Sequence, residues 1–352
     1  VKVGIATPDR VLVHATRRTV TARGDEPVAD VLRTEEEVLQ LCRSGTIDVL
    51  LLDLAFTPQP AALVRRIRAE SPVQVLVIAP AKSGLAAKGP SVTQAYEAIE
   101  AGAVDVVPAP SLDLEGQLSG EGALSGRLAI LEKLRGLTPA SGLQLLSSIP
   151  RAKPPVAAAP GAGTVVAIGA STGGPAVLTA ILQRLPRDLA AAIVIVQHID
   201  ETFAGGLVGW LAERTGFRTV AALDGDPLRP ATAHVAALDR HLVVTPDRLL
   251  RYVDEPRESI HRPSVDVLFA SLATQNRTGL AILLTGMGRD GAEGLLQLRR
   301  SGWTTVAQDM KSSTVWGMPR AAIELGGADL VLPAEAIAPT IEAFVVRAAR
   351  LR

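Results

Sequence analysis

Residues 165–185, VVAIGASTGGPAVLTAILQRL, decide the fold of the second half of the chain. An apolar run stops at Gly169. Ser171 follows two residues later, then Gly173, Gly174 and Pro175, then apolar residues at helical spacing. A strand, a tight turn and a helix in this order are the building unit of a parallel sheet covered by helices. Gly169 to Gly173 fit the pattern G-x-S-x-G, whose glycines leave backbone room on both sides of the serine. Such a turn raises the hydroxyl to the carboxyl edge of the sheet, where the next helix points its free amides and positive dipole end. Taken alone, the motif leaves three readings open: a catalytic nucleophile, a helix N-cap or a phosphate loop. The spacing is not G-x-G-x-x-G, so a dinucleotide fingerprint is weak.

The same alternation runs outward on both sides. TVVAIG, AAIVIVQ, GLAILLT, TTVAQD and DLVLP read as strands, most of them followed by helical patterns, and AEAIAPTIEAFVVRAAR as the last helix. From 218 to 253 the texture changes. RTVAAL, HVAAL, HLVVT and LLRYV are short runs between turn residues, expected as a small antiparallel excursion. Towards the start, KVGIA, VADVL, DVLLLD, VQVLVIA and VDVVP read as strands. VLVHATRRTV, TEEEVLQLCRSG, AALVRRIRAE and TQAYEAIEAG read as the helices between them. The prediction is an α/β chain with two doubly wound parallel-sheet domains, residues 1–120 and 164–352. Residues 121–163 join them through a short amphipathic helix, RLAILEKLRGL, and a Pro/Ala/Gly-rich linker.

Composition narrows the function. A length of 352 residues suits two domains. The apolar fraction of 47% supplies cores, and with only 3% aromatics these must be built of Ala, Val, Leu and Ile. Lys plus Arg balance Asp plus Glu at 36 each, which argues against nucleic acid or a membrane surface as partner. The one cysteine, Cys42, makes neither an internal disulfide nor a cysteine metal cage and reads as a small buried hydrophobe. VKVGIA has no signal-peptide pattern, and no apolar run reaches the ~18 residues of a membrane span. A soluble cytoplasmic protein with no membrane insertion, no metal and no cofactor is expected.

A serine nucleophile needs a base, and the base an orienting carboxylate. His198 closes AAIVIVQHI, at the same sheet edge as Ser171. His261, opening HRPSVD, ranks second. His14 reads as a surface or packing residue of a helix, and His234 and His241 as structural residues of the excursion. Asp290 follows the strand AILLT in GMGRDG, again at a carboxyl edge; its alternative reading is an N-cap.

Together, AIGASTGGP (167–175), VIVQHI (194–199), HRPSVDVLFASLA (261–273) and LLTGMGRDGAEGL (283–295) resemble the chemotaxis protein-glutamate methylesterase family. The resemblance covers nearly all of residues 164–350. It implies hydrolysis of methyl esters on glutamate side chains of methyl-accepting chemoreceptors, releasing methanol, and deamidation of receptor glutamines. It also implies Ser171 as nucleophile, His198 as base and Asp290 as orienting acid. Thr172 and the loop Gly286, Met287, Gly288 are the candidates to line the site and hold the oxyanion. One departure is QDMKSST, where Met310 and Lys311 alter the rim of the site. Another small-ester serine hydrolase and a non-catalytic signalling scaffold stand as alternatives.

The first domain, with DVLLLDLAFTP, resembles a response-regulator receiver in which Asp53 matches the phospho-acceptor. The other working positions depart. Thr7 and Pro8 stand where receivers carry an acidic pair, and Asp9 lies one step beyond. Ala79 or Pro80 replaces the hydroxyl residue, and Ala109 the lysine. The expectation is a degenerate receiver, regulated by a signalling partner that docks on it or not at all. The linker, ~138–163, is expected to let this domain cover or release the catalytic crevice.

Overall fold

The computed structural model describes residues 1–22, 24–27, 32–79, 90–110, 121–137, 163–275 and 277–350. They fall into two units, Val1–Ala140 and Ser141–Arg352.

In the first unit, β1 (Lys2–Ala6), α1 (Arg10–Thr21), β2 (Glu26–Pro27), α2 (Glu35–Arg43) and β3 (Val49–Asp53) are followed by α3 (Pro60–Glu70), β4 (Gln74–Ala79), α4 (Pro90–Glu100), β5 (Asp105–Pro108) and α5 (Glu121–Gly136). All strands are parallel, in the order β2-β1-β3-β4-β5. This is the flavodoxin-like doubly wound order. Local signals set the elements. Thr34 starts α2 with a reciprocal capping box to Glu37, and Gly45 follows its end in the left-handed region. Cys42 is buried in α2, and burial pushes its thiol up to about 11. Of the expected strand VADVL, residues 28–31 lie outside the described residues; β2 is the two residues before them.

The helix expected in the linker belongs to this first unit. α5 packs on β5 and α1, and Lys133 Nζ lies 2.7 Å from Asp105, both buried. A short helix leaves a linker when its inner face finds an apolar surface and its one buried cation finds a buried carboxylate. The gating role expected of residues ~138–163 falls on positions 138–162, outside the described residues.

The second unit runs β6 (Thr164–Ala170), α6 (Gly174–Arg184), β7 (Ala191–Gln197), α7 (Glu201–Thr215), β8 (Thr219–Ala221), β9 (Thr232–Val235), β10 (His241–Val244), β11 (Leu250–Val253) and α8 (Val265–Ala273). It continues through β12 (Leu280–Leu283), α9 (Ala292–Arg300), β13 (Thr304–Gln308), α10 (Met318–Glu324), β14 (Leu330–Leu332) and α11 (Ala334–Arg350). Seven strands form one parallel sheet, β14-β13-β12-β6-β7-β9-β8. At its centre β12, β6 and β7 are buried along their whole length, as continuous apolar runs demand. α6, α7 and α11 pack together, as do α8, α9 and α10.

The expected antiparallel excursion is only half present. RTVAAL and HVAAL contribute β8 and β9, which pair in parallel and extend the main sheet beside β7. All four residues of β9 are buried, as befits a strand between two others; a short apolar run does not reveal its pairing direction. Only β10 and β11 are antiparallel, in register from His241↔Val253 to Val244↔Leu250. No helix of the described residues is long and apolar enough to cross a membrane.

Candidate active site

β6 lies between β12 and β7, so three carboxyl ends meet around Ser171. Pairing of β6 with β7 runs to Ala170↔Gln197, and the His198 N–H extends it by donating to the Ala170 carbonyl at 2.9 Å. On the other side the Ser171 N–H donates to the Thr285 carbonyl at 3.0 Å. Where the β6–β7 ladder ends, a side chain takes over: Gln197 Nε2 donates to the carbonyls of Ser171 (2.8 Å) and His198 (3.0 Å). This explains Gly174, because a Cβ there would run into Gln197 Oε1 and lie 2.9 Å from Ala170 Cβ. Gly173 turns the chain at φ +80° and is the N-cap of α6, with no side-chain cap bond. Ser171 is therefore not a helix cap. Its Oγ is buried without a hydrogen-bond partner.

His198 Nε2 lies 2.7 Å from Asp290 Oδ2. Asp290 is not the cap of α9 either, since Gly291 fills that position. Its carboxylate instead meets the start of α8. Oδ1 accepts from the Ser264 hydroxyl (2.7 Å) and the Asp266 N–H (3.0 Å), and Oδ2 from the Val265 N–H (2.7 Å). Burial works to raise the Asp290 pKa. The hydrogen bond and charge of His198, with the Asp266 amide and Ser264 hydroxyl, outweigh it and hold the carboxyl far below the usual range. With Nε2 engaged by Asp290, the other ring nitrogen of His198, Nδ1, is buried and unpartnered. Ser171 and His198 make no hydrogen bond to each other. The rings of His198 and His261 stack at 4.2 Å between centroids.

The CheB methylesterase family profile matches residues 166–341, half of the chain. The protein-glutamate methylesterase/protein-glutamine glutaminase 3 of Burkholderia orbicola is 38% identical, over 99% of each chain. The chain belongs to the CheB methylesterase family. The like-named protein of Mesorhizobium japonicum is also 38% identical, over 97% of each chain. Among solved structures, the CheB methylesterase catalytic domain of Thermotoga maritima is 33% identical and covers 51% of this chain and 98% of its own, with a TM-score of 0.49. The response regulator domain of Thermotoga maritima CheB covers 38% and 93%, at 18% identity and a TM-score of 0.30.

Within this family member, the expected lining residues divide. The Gly286 N–H donates to the Val315 carbonyl at 2.9 Å, so it has no amide left for an oxyanion. Gly286 still lines the site, since a Cβ on it would lie 2.7 Å from Ser171 Cβ. No described hydrogen bond uses the N–H of Thr172, Met287 or Gly288. Met310 and Lys311 are exposed just beyond β13. His14 is exposed on α1. His234 is buried in β9, where Nε2 accepts from the Arg229 N–H at 3.1 Å, and burial lowers its pKa. His241 bridges the Pro256 carbonyl and the Ser264 N–H, both at 3.1 Å. Among the described residues no three His, Cys, Asp or Glu side chains could hold a metal.

Sequence reasoning missed Gln197, Ser264 and Asp266. The signal for the last two was present: PSVD before an apolar run is a cap with an acid in the first turn.

In the first unit Asp53 has both carboxylate oxygens engaged. Thr7 Oγ1 donates to Oδ2 at 2.6 Å, and the Ala55 N–H to Oδ1 at 2.9 Å. Asp9 caps α1 through the Val11 and Leu12 amides. Ala79 ends β4 and accepts from the Ala109 N–H, while Pro80 lies outside the described residues.

Proposed function

We propose that this chain hydrolyses glutamate methyl esters, and deamidates glutamines, on methyl-accepting chemoreceptors, using Ser171, His198 and Asp290. One observation carries the reading. Ser171 Oγ and His198 Nδ1 stand unpartnered on adjoining strand ends, while both carboxylate oxygens of Asp290 are hydrogen-bonded. Buried polar atoms are nearly always paired, so an unpaired hydroxyl and an unpaired ring nitrogen on adjoining strand ends, beside the equally unpaired Thr172 Oγ1 and Gln197 Oε1, suit groups that wait for a substrate.

In the proposed mechanism Ser171 Oγ attacks the ester carbonyl and His198 Nδ1 takes its proton. Asp290 stabilises the imidazolium through Nε2–H. The amides of Thr172, Met287 and Gly288 are the candidates to hold the oxyanion, each such donor being worth roughly 2.7–4 kcal/mol in the transition state. The tetrahedral intermediate collapses, breaking the bond to methoxide, which leaves as methanol with the proton from Nδ1. Water, deprotonated by Nδ1, then attacks the Ser171 ester and frees the glutamate carboxylate. For glutamine the leaving group is ammonia.

Regulation is proposed to act through a partner docked on the receiver-like unit, because Asp53 is already satisfied by Thr7 and Ala55. The test of the chemistry is Ser171→Ala, assayed by methanol release from methylated receptor membranes. A folded variant with no release is expected; retained release would overturn the assignment.

A further inference from the structure

We infer that His261 is a positioning residue, whose ring holds the His198 imidazole in the plane that aims Nδ1 at Ser171. This rests on the Ser171–His198–Asp290 reading. The observation is a parallel stack: centroids 4.2 Å apart, planes 18° from one another.

The hydrogen bond to Asp290 does not orient the ring by itself. An imidazole turns about its Cβ–Cγ bond, and Nε2 lies nearer that axis than Nδ1 does. A rotation that barely stretches Nε2···Oδ2 therefore swings Nδ1 further. A second flat ring lying against the first resists the rotation, because any tilt drives an edge into its face.

His261 is well placed to act as such a stop because its own segment is tied down. Its carbonyl accepts from Ser259 Oγ at 3.0 Å. Arg262 reaches Asp239 at 3.3 Å. Ser264 donates its N–H to His241 Nδ1 and its hydroxyl to Asp290. The segment that stacks on the His198 ring thus also holds the carboxylate that fixes its Nε2. One displacement would disturb both.

The experiment uses the full chain and methylated receptor membranes, reading kcat and KM for methanol release, with thermal unfolding as the check on folding. His261→Ala is expected to lower kcat about tenfold to a hundredfold, the range that a small misplacement of a reacting group produces, with KM unchanged. His261→Phe keeps the flat face without the nitrogens and is expected to recover most of that kcat. Full kcat in His261→Ala overturns the inference. So does a loss confined to KM, which would make His261 a substrate contact. His261→Phe as slow as His261→Ala overturns it too, by assigning the role to a nitrogen. If the alanine variant unfolds, His261→Leu replaces it as the bulky side chain without a flat face, with the same two outcomes. Activity surviving in Ser171→Ala overturns the nucleophile and this inference with it. A dead Ser171→Ala beside a fast His261→Ala overturns this inference alone.

Discussion

Asp266 and Asp290 bring two carboxylates to the first turn of α8. Asp266 Oδ1 accepts from the Gly294 N–H at 2.7 Å, yet burial, and then the neighbouring Asp290 charge, push its pKa up to about 6. The sign of the effect on stability follows. A raised acid pKa means that the folded protein still binds a proton at a pH where the unfolded chain has released it. Between the ordinary 3.8 and about 6, stability therefore falls as pH rises, and above that window the charged Asp266 carries its full penalty. That penalty is at most about 3 kcal/mol. Asp266→Asn keeps an acceptor for Gly294 and adds a donor beside Asp290. It should stabilise the protein near neutral pH and lose that advantage as pH falls below the window. Urea unfolding at the two pH values measures it, and an equal gain at both would contradict the account.

At the scale of elements, the turn from β6 to α6 is shaped by its neighbours rather than by its own propensity. Gln197, at the end of β7, occupies the space beside Gly174 and ties the carbonyls of Ser171 and His198. Gly174→Ala should overpack this point, costing roughly 1–3 kcal/mol, and should lower kcat as Gln197 shifts. Gly209→Ala in α7 is the control, because nothing lies within 4 Å of its added Cβ and alanine suits a helix interior. Thermal unfolding and methanol release on both variants check the contrast. A Gly174→Ala protein as stable and as active as Gly209→Ala would show that the Gln197 contact constrains nothing.

At the scale of the whole molecule, each unit repeats a doubly wound design with a different edge chemistry. The first unit ends β3 with a carboxylate, but Thr7 and Ala55 satisfy it, and Asp9 is occupied at the start of α1. Mg²⁺ in phosphoryl chemistry is held by one or two carboxylates together with phosphate oxygens. Among the described residues, the Thr7 hydroxyl rather than a second carboxylate meets Asp53, so the predicted capacity to neutralise an incoming phosphoryl group is small. Incubation with Mg²⁺ and a small phosphodonor should leave the intact mass unchanged. A stoichiometric, base-labile phosphoryl adduct on Asp53 would refute this, and the more so if it also raised esterase activity.

The sequence by itself determined the α/β class, the alternation in both halves, and the strand-end placement of Ser171, His198 and Asp290. These are local properties: apolar runs of strand length, helical spacing and glycines at turns are written in consecutive residues. It also showed that Thr7, Pro8 and Ala109 accompany Asp53, because residue identities are visible without a fold. Only the tertiary structure decided what each polar group meets. Gln197 reaches Ser171 across 26 positions, Ser264 reaches Asp290 across 26, and Thr7 reaches Asp53 across 46. For the same reason Asp290, which reads locally as the cap of its own helix, serves the start of α8. The direction of β8 and β9 was likewise hidden, since a short apolar run is equally at home in either pairing. Hydrogen bonds between distant residues depend on which strand ends the sheet brings side by side, and no window of consecutive residues contains that information.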